Sequence, residues 1–153
     1  KASDAMAAIS TIPIGSLPRE AFVTVQGRAA VIDRMKNLIN SAQARIYSSM
    51  APQQLDLARA EFEQAVARGL KVVLITSPGY QMEGAIIKHR TKSPGTLRLI
   101  ADSAEVLTGD LAGEHDSGCI YSRHPGLVSL IKESLTNELQ LIEARHCFDE
   151  DDA

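Results

Sequence analysis

The stretch "TLRLIADSAEVLTGD", residues 96 to 110, reads as a strand, a tight turn at Asp102-Ser103 and a second strand ending in Gly109-Asp110. A turn aspartate is suited to capping backbone amides. That reading of Asp102 comes before a ligand role, in which the Asp102 and Asp110 carboxylates would accept hydrogen bonds from the hydroxyls of a bound polyol. Other chemistry-bearing residues are scattered. His115, Asp116, Cys119 and His124 fall within "HDSGCIYSRH", which lacks the paired close spacings of a structural zinc site. Cys119 lies in an apolar strand, the usual setting of a buried free thiol, so no metal site is expected. His146-Cys147 beside the acidic end reads as a helix terminus, where a histidine suits the carbonyl dipole. No Gly-x-Ser-x-Gly elbow occurs, and neither "TGDLAG" nor "SPGY" carries the lysine of a phosphate loop. No cofactor is therefore expected.

These residues need a framework. "FVTVQ" alternates as a short strand, and Gly27 permits a turn into a helix whose stripe is Ile32, Met35, Ile39 and Ala42. "ARIYSSM" is a strand. "APQQLDLARAEFEQAVARG" repeats Leu55, Ala58, Phe62, Ala65 and Val66 at helical spacing, with Gly69 placed to cap its end. "LKVVLITS" has the uninterrupted apolar run of a strand covered on both faces, as parallel strands are. Residues 78 to 95, bounded by Pro-Gly at both ends, are expected to be a loop with a short helix or turn. "TLRLIA", "EVLTGD" and "GCIYS" are three closely connected strands, so part of the sheet is expected to be antiparallel. A last helix from about Pro125 to Arg145 sets Val128, Ile131, Leu135, Leu139 and Ile142 on one side. The expected fold class is α/β, a mixed sheet flanked by helices.

Bulk properties narrow the function. The chain has 153 residues, 44% hydrophobic, which suits one core rather than two. A formal charge of -3 and a pI near 5.8 argue against a broad phosphate-binding surface, so a DNA role has to come from elsewhere. No apolar run approaches the roughly 20 residues of a membrane-spanning helix, and no signal peptide is visible. Two cysteines in such a chain fit a reducing cytoplasm. The absence of an initiator Met points to a missing amino-terminal portion, with residues 1–18 as a linker and "DEDDA", residues 149–153, as a solvated or disordered acidic tail.

The succession "VQGRAAVIDRMKNLINSAQARIYSSM", "AVARGLKVVLIT", "LRLIADSAEVLTGD" and "GCIYSRHPGLVSLIKESL" resembles the phospholipase D-like effector domain of TrmB-type transcriptional regulators, over roughly residues 22 to 145. The resemblance implies a phospholipase D-like domain at residues 19–148, preceded by a winged-helix DNA-binding domain and a dimerising linker. In characterised archaeal members the domain binds sugars. Catalytic phospholipase D-type proteins carry His-x-Lys-x-x-x-x-Asp, in which the histidine attacks phosphorus and the lysine holds the phosphate charge. With Asp102 in register, the places of the histidine and lysine are Gly95 and Leu97. The near miss His89-Arg90-Thr91-Lys92 has one residue too many and would put His89 and Lys92 on opposite faces of a strand.

A non-catalytic sensor is the expectation that follows. In open α/β sheets ligands bind beyond the carboxyl ends of parallel strands. Those ends are Ser48, Ser49 and Met50, then Thr76, Ser77 and Pro78, with Asp102 and Asp110 adding carboxylates. The expected partners are a sugar-like effector, a second copy of the chain, and DNA only through the missing amino-terminal domain, with no membrane. The rival reading is a phosphodiesterase or nuclease that uses His89, Lys92 and Asp102 across a dimer interface.

Overall fold

β-Branched runs and glycine punctuation divide the chain into alternating units, and the computed structural model describes residues 22–90, 96–112 and 115–152, without the side chains of 145–152. The order is β1 (Phe22–Gln26), α1 (Arg28–Ser41), β2 (Arg45–Ser49), α2 (Pro52–Leu57), α3 (Arg59–Ala67), β3 (Lys71–Thr76), β4 (Ile86–His89), β5 (Leu97–Ala101), β6 (Glu105–Asp110), β7 (Gly118–Ser122) and α4 (Pro125–Asp152). The strands form one sheet in the order β1-β7-β6-β5-β2-β3-β4. β2, β3 and β4 are mutually parallel; the remaining pairs are antiparallel. The sheet is therefore mixed, as its sequence implies.

Helices cover both faces. α1, α2 and α3 lie on one, packing Met35, Ile39, Leu55 and Phe62 against Ile46, Leu74, Leu99 and Leu107. On the other, α4 sets Val128 and Leu135 over Ile75, Ile100 and Val106. Each such side chain contributes roughly 1.5–3 kcal/mol by leaving water. The α4 layer has fewer fully buried residues, so polar contacts bear more of its docking.

Several expectations need correction. Residues 86–89 form an edge strand paired in parallel with β3, with Val73 opposite Ile86 and Thr76 opposite His89, where a loop with a helix or turn was expected. The backbone of β3 was free to accept a further strand, and two isoleucines suffice for a half-exposed edge. The segment 51–69 is two helices, because Ala58 leaves helical geometry at φ -126°. In α1 the fully buried stripe is Val31, Met35, Leu38 and Ile39, with Ile32 only partly covered. α4 continues through Asp152, so the backbone of 149–152 is helical rather than a tail, and His146-Cys147 lie within the helix. The proposed linker, residues 1–18, lies outside the described residues.

Local chemistry closes the turns as expected. Gly69 ends α3 at φ 89°, while the amides of Gly69 and Leu70 reach back to the carbonyls of Val66 and Ala65. Asp102 and Ser103 both have positive φ, 57° and 56°, and the Ala104 amide donates to the Ala101 carbonyl. That is the two-residue turn whose twist matches a hairpin.

Candidate functional site

The parallel strands end on one side of the sheet, and strand register decides which residues meet there. Ser49 pairs with Ile75 of β3 and Arg98 of β5, while Leu97 pairs with Gly109 of β6. Ser48, Ser49, Met50, Thr76, Ser77 and Asp110 thus share one end of the sheet. Asp102 does not. Ala101 pairs with Ile46, which puts the hairpin tip at the amino end of β2, the full length of the strand away.

The sheet itself divides the residues at the shared end. Side chains alternate between faces, so Ser48 and Met50 follow Ile46 into the layer of α1 to α3, and Thr76 follows Leu74 there. Met50 is fully buried. The Ser48 and Thr76 hydroxyls are buried without a hydrogen-bond partner among the described residues. Ser49 points the other way, beneath α4. Ser77 is half-buried and its carbonyl lies 3.3 Å from Nδ1 of His89. Asp110 is exposed at the end of β6.

Under α4, Ser49 joins residues that the sequence reading passed over. Its hydroxyl donates to Oε1 of Glu138 (3.2 Å) and accepts from Nη2 of Arg98 (2.9 Å). Arg98 also donates to Oε1 of Glu138 (2.5 Å) and to the hydroxyl of Ser134 (2.6 Å). Arg90 donates to Oε2 of Glu138 (2.8 Å) and to the Ile75 carbonyl (3.1 Å). Arg90 is 7% exposed and its Nε has no hydrogen-bond partner among the described residues. Burial pushes the Arg90 guanidinium below its ordinary range, Glu138 opposes that shift, and neighbouring Arg98 adds to it. Two arginines share one carboxylate in a half-dry setting. The cluster opens through Arg98, Ser134 and Glu138 to a depression of about 410 Å³ along α4. Arg98 was detectable as a charge inside the apolar strand "LRLIA", and Glu138 as a charge three residues after the buried Leu135. Their meeting was not, because they lie 40 positions apart.

Leu97, at the position the motif spacing expects for a catalytic lysine, is 1% exposed and packed in the core with α1 to α3. Gly95 and Lys92 lie outside the described residues. His89, at the carboxyl end of β4, and Asp102, at the amino end of β2, stand at opposite ends of the sheet, so one chain does not bring that displaced set together. His115 and Asp116 are exposed near the start of β7, while His124 follows its far end and stacks on Phe22. Among the described residues no three His, Cys, Asp or Glu side chains converge as metal ligands. Cys119 is a buried free thiol pushed up to about 11, by burial first and then by Asp110. No helix among the described residues is long and apolar enough to cross a membrane.

A mixed sheet under these helices, with the apolar stripes described, matches the family model of the transcriptional regulator TrmB effector-binding domain, N-terminal subdomain, over residues 21–131. The chain belongs to this family. The Bacillus subtilis (strain 168) protein YrhO is 28% identical over 133 residues, covering 82% of this chain and 48% of YrhO. The chain therefore spans about half the length of that relative. The fold of the TrmB-family domain here is also that of TrmBL2, described as an archaeal chromatin protein with a novel mode of DNA binding (18% identity, TM-score 0.65, covering 80% of this chain and 53% of that one). It is likewise that of NucT from Helicobacter pylori (13%, 0.61, 78% and 96%). The phospholipase D family member Nuc from Salmonella typhimurium shares it too (17%, 0.52, 78% and 95%). The fold is phospholipase D-like.

Proposed function

We propose that this domain is the sensing part of a cytoplasmic transcriptional regulator and carries out no hydrolysis. A small polar metabolite of sugar-like chemistry binds at the carboxyl ends of β2 and β3. Two copies associate, and the bound effector biases how they sit. DNA is contacted by a winged-helix segment preceding this domain, to which residues 1–18 are the linker.

One observation carries the reading: the Arg90–Glu138–Arg98 cluster with Ser49, at that end of the sheet and open to solvent on one side. Guanidinium donors beside a carboxylate acceptor are the groups that hold the hydroxyls of a polyol in fixed orientation. The backbone at Met50 and Ser77 and the Asp110 carboxylate at the rim supply further polar contacts, while Ser48 and Thr76 are buried on the other face of the sheet. Asp102 is left out of the site, since it lies at the opposite end. Leu97 in the lysine's place supports the non-catalytic reading.

Thermal unfolding against sugars and phosphorylated sugars tests the proposal. A specific ligand at one hundred times its dissociation constant stabilises by about 2.7 kcal/mol. A flat response to every compound, with hydrolysis of a generic phosphodiester that disappears in His89→Ala, overturns it in favour of a phosphodiesterase. The phospholipase D family member among its structural neighbours makes that the second reading.

A further inference from the structure

Glu138 occupies the two arginines as a bound anion would. Its Oε1 accepts from the Ser49 hydroxyl and from Nη2 of Arg98, and its Oε2 accepts from Nη1 of Arg90. Three donors, brought by β2, by β5 and by the residue that follows β4, thus converge on one carboxylate supplied by a helix. Paired guanidiniums are a common receptor for oxyanions. Donor capacity is left over, since Nε of the buried Arg90 has no hydrogen-bond partner among the described residues. Arg98 and Leu97 point to opposite faces of β5, so this receptor lies across the sheet from the place of the motif's lysine.

The charges decide how a ligand enters. Arg90 and Arg98 carry two positive charges, Glu138 carries one negative, and Glu133 adds a second at the exposed rim of the same depression. The resting set is neutral, so an anion gains nothing by merely adding to it. A phosphate group gains by taking the place of Glu138, because two guanidiniums then face a dianion and its third oxygen can use the spare donor. A neutral sugar gains nothing from that exchange, since hydroxyls leave the buried guanidinium charges unpaired. Entry is through the depression of about 410 Å³, where Arg98, Ser134 and Glu138 reach solvent.

We infer that the effector carries a phosphate group that displaces Glu138 from Arg90 and Arg98, and that the displacement frees the second half of α4. This rests on the sensing reading above and names its ligand class and its switch. The buried side chains of α4, Val128 and Leu135, both precede Glu138, while Leu139 and Ile142 beyond it are only partly covered. Among the described residues, both ion pairs between α4 and the sheet run through Glu138. A ligand that prefers the displaced state therefore shifts the helix towards release.

Calorimetric titration with inorganic phosphate, acetate and glucose, at an ionic strength fixed with chloride, is the test. An internal competitor lowers apparent affinity by the fraction of molecules in which the site is free. Phosphate is therefore expected to bind Glu138→Gln about tenfold more tightly than wild type, and Arg98→Gln at least tenfold more weakly. Glu138→Asp keeps the charge but reaches one methylene less; it should show a smaller gain, and it carries the test should Glu138→Gln not fold. In wild type, phosphate should quicken hydrogen exchange in α4 beyond residue 138. A Glu138 with only a structural role predicts the reverse, weaker binding once it is replaced. Phosphate affinity unchanged or reduced in both Glu138 variants overturns the inference, as does an equal gain for acetate. Unaltered exchange in α4 overturns the release of the helix. Glucose binding that weakens in Glu138→Gln, with phosphate inert, overturns the inference and leaves the sensing reading standing. Silence of all three probes also overturns it, while the sensing reading answers to the wider thermal screen.

Discussion

Asp102, at the tip of the β5–β6 hairpin, accepts the backbone amide of Arg45, the first residue of β2, at 3.0 Å across 57 positions of sequence. The same carboxylate takes the amides of Ala44 (2.7 Å) and Gln43 (2.9 Å), which lead out of α1. One turn residue thus ties the end of the first helix to the start of a central strand. Burial alone would raise its pKa, but the three amides and the Arg45 charge outweigh it and hold the carboxyl below its ordinary range.

Asp102→Asn removes that charge while keeping a residue type tolerated at positive φ. The expected loss is about 1–3 kcal/mol near neutral pH, read by urea unfolding. Because the folded-state pKa is lowered, the carboxylate's contribution is full above the unfolded value of about 4 and lost as pH falls through the folded one. The gap between wild type and variant should narrow only in acid. A gap of constant size from neutral pH downward would show that shape, not charge, makes the tie.

Glu138→Leu leaves Arg90 and Arg98 without their shared carboxylate. Breaking a buried ion pair from one side typically costs about 3–5 kcal/mol, whereas replacing the whole set by apolar residues of similar size is often close to neutral. Denaturant midpoints should therefore fall sharply in Glu138→Leu and largely recover when Arg90→Met and Arg98→Met are added. Under the sensing proposal the triple variant no longer responds to any effector that stabilises wild type.

Gly109 sits at φ 154°, where an added Cβ would lie 2.3 Å from the Gly118 carbonyl oxygen and 2.6 Å from the Cys119 Cα. Both neighbours are backbone of β7 and cannot swing aside. Gly109→Ala should lower stability by about 3 kcal/mol, measured as a shift in denaturant midpoint. An unchanged midpoint would mean that β6 and β7 separate readily at this end.

Thr76→Val exchanges an unpartnered buried hydroxyl for a methyl of similar shape. A hydroxyl that serves only the fold predicts a change within about 1 kcal/mol, towards greater stability. One that also contacts the proposed effector predicts the same unfolding curve with a weaker ligand-induced thermal shift. Calorimetric titration of a ligand found in the thermal screen separates the two.

Periodicity made much of the architecture legible. Alternating β-branched residues marked β1, the apolar run marked β3 as covered on both faces, and Pro125 with its following stripe marked α4. What the pattern missed were features without a periodic signature. β4 is too short and too half-exposed to alternate clearly, and Ala58 breaks a helix whose apolar spacing runs on undisturbed. The residues named for the site were legible only as strand ends.

The sequence by itself indicated six strands and three helices packed as a mixed sheet flanked by helices, a turn at Asp102, and, on the family's motif spacing, Gly95 and Leu97 in the places expected of a nucleophile and its lysine. Those properties follow from neighbours in the chain, through side-chain period, backbone freedom at turns and fixed motif spacing. Tertiary structure alone decided that Asp102 accepts the backbone amides of Gln43, Ala44 and Arg45 between α1 and β2, at the far end of the sheet. It also decided that Ser48 and Ser49 part to opposite faces, and that Arg90, Arg98 and Glu138 share one buried cluster beneath α4. Strand order and register set those distances, and they arise from pairings between residues tens of positions apart.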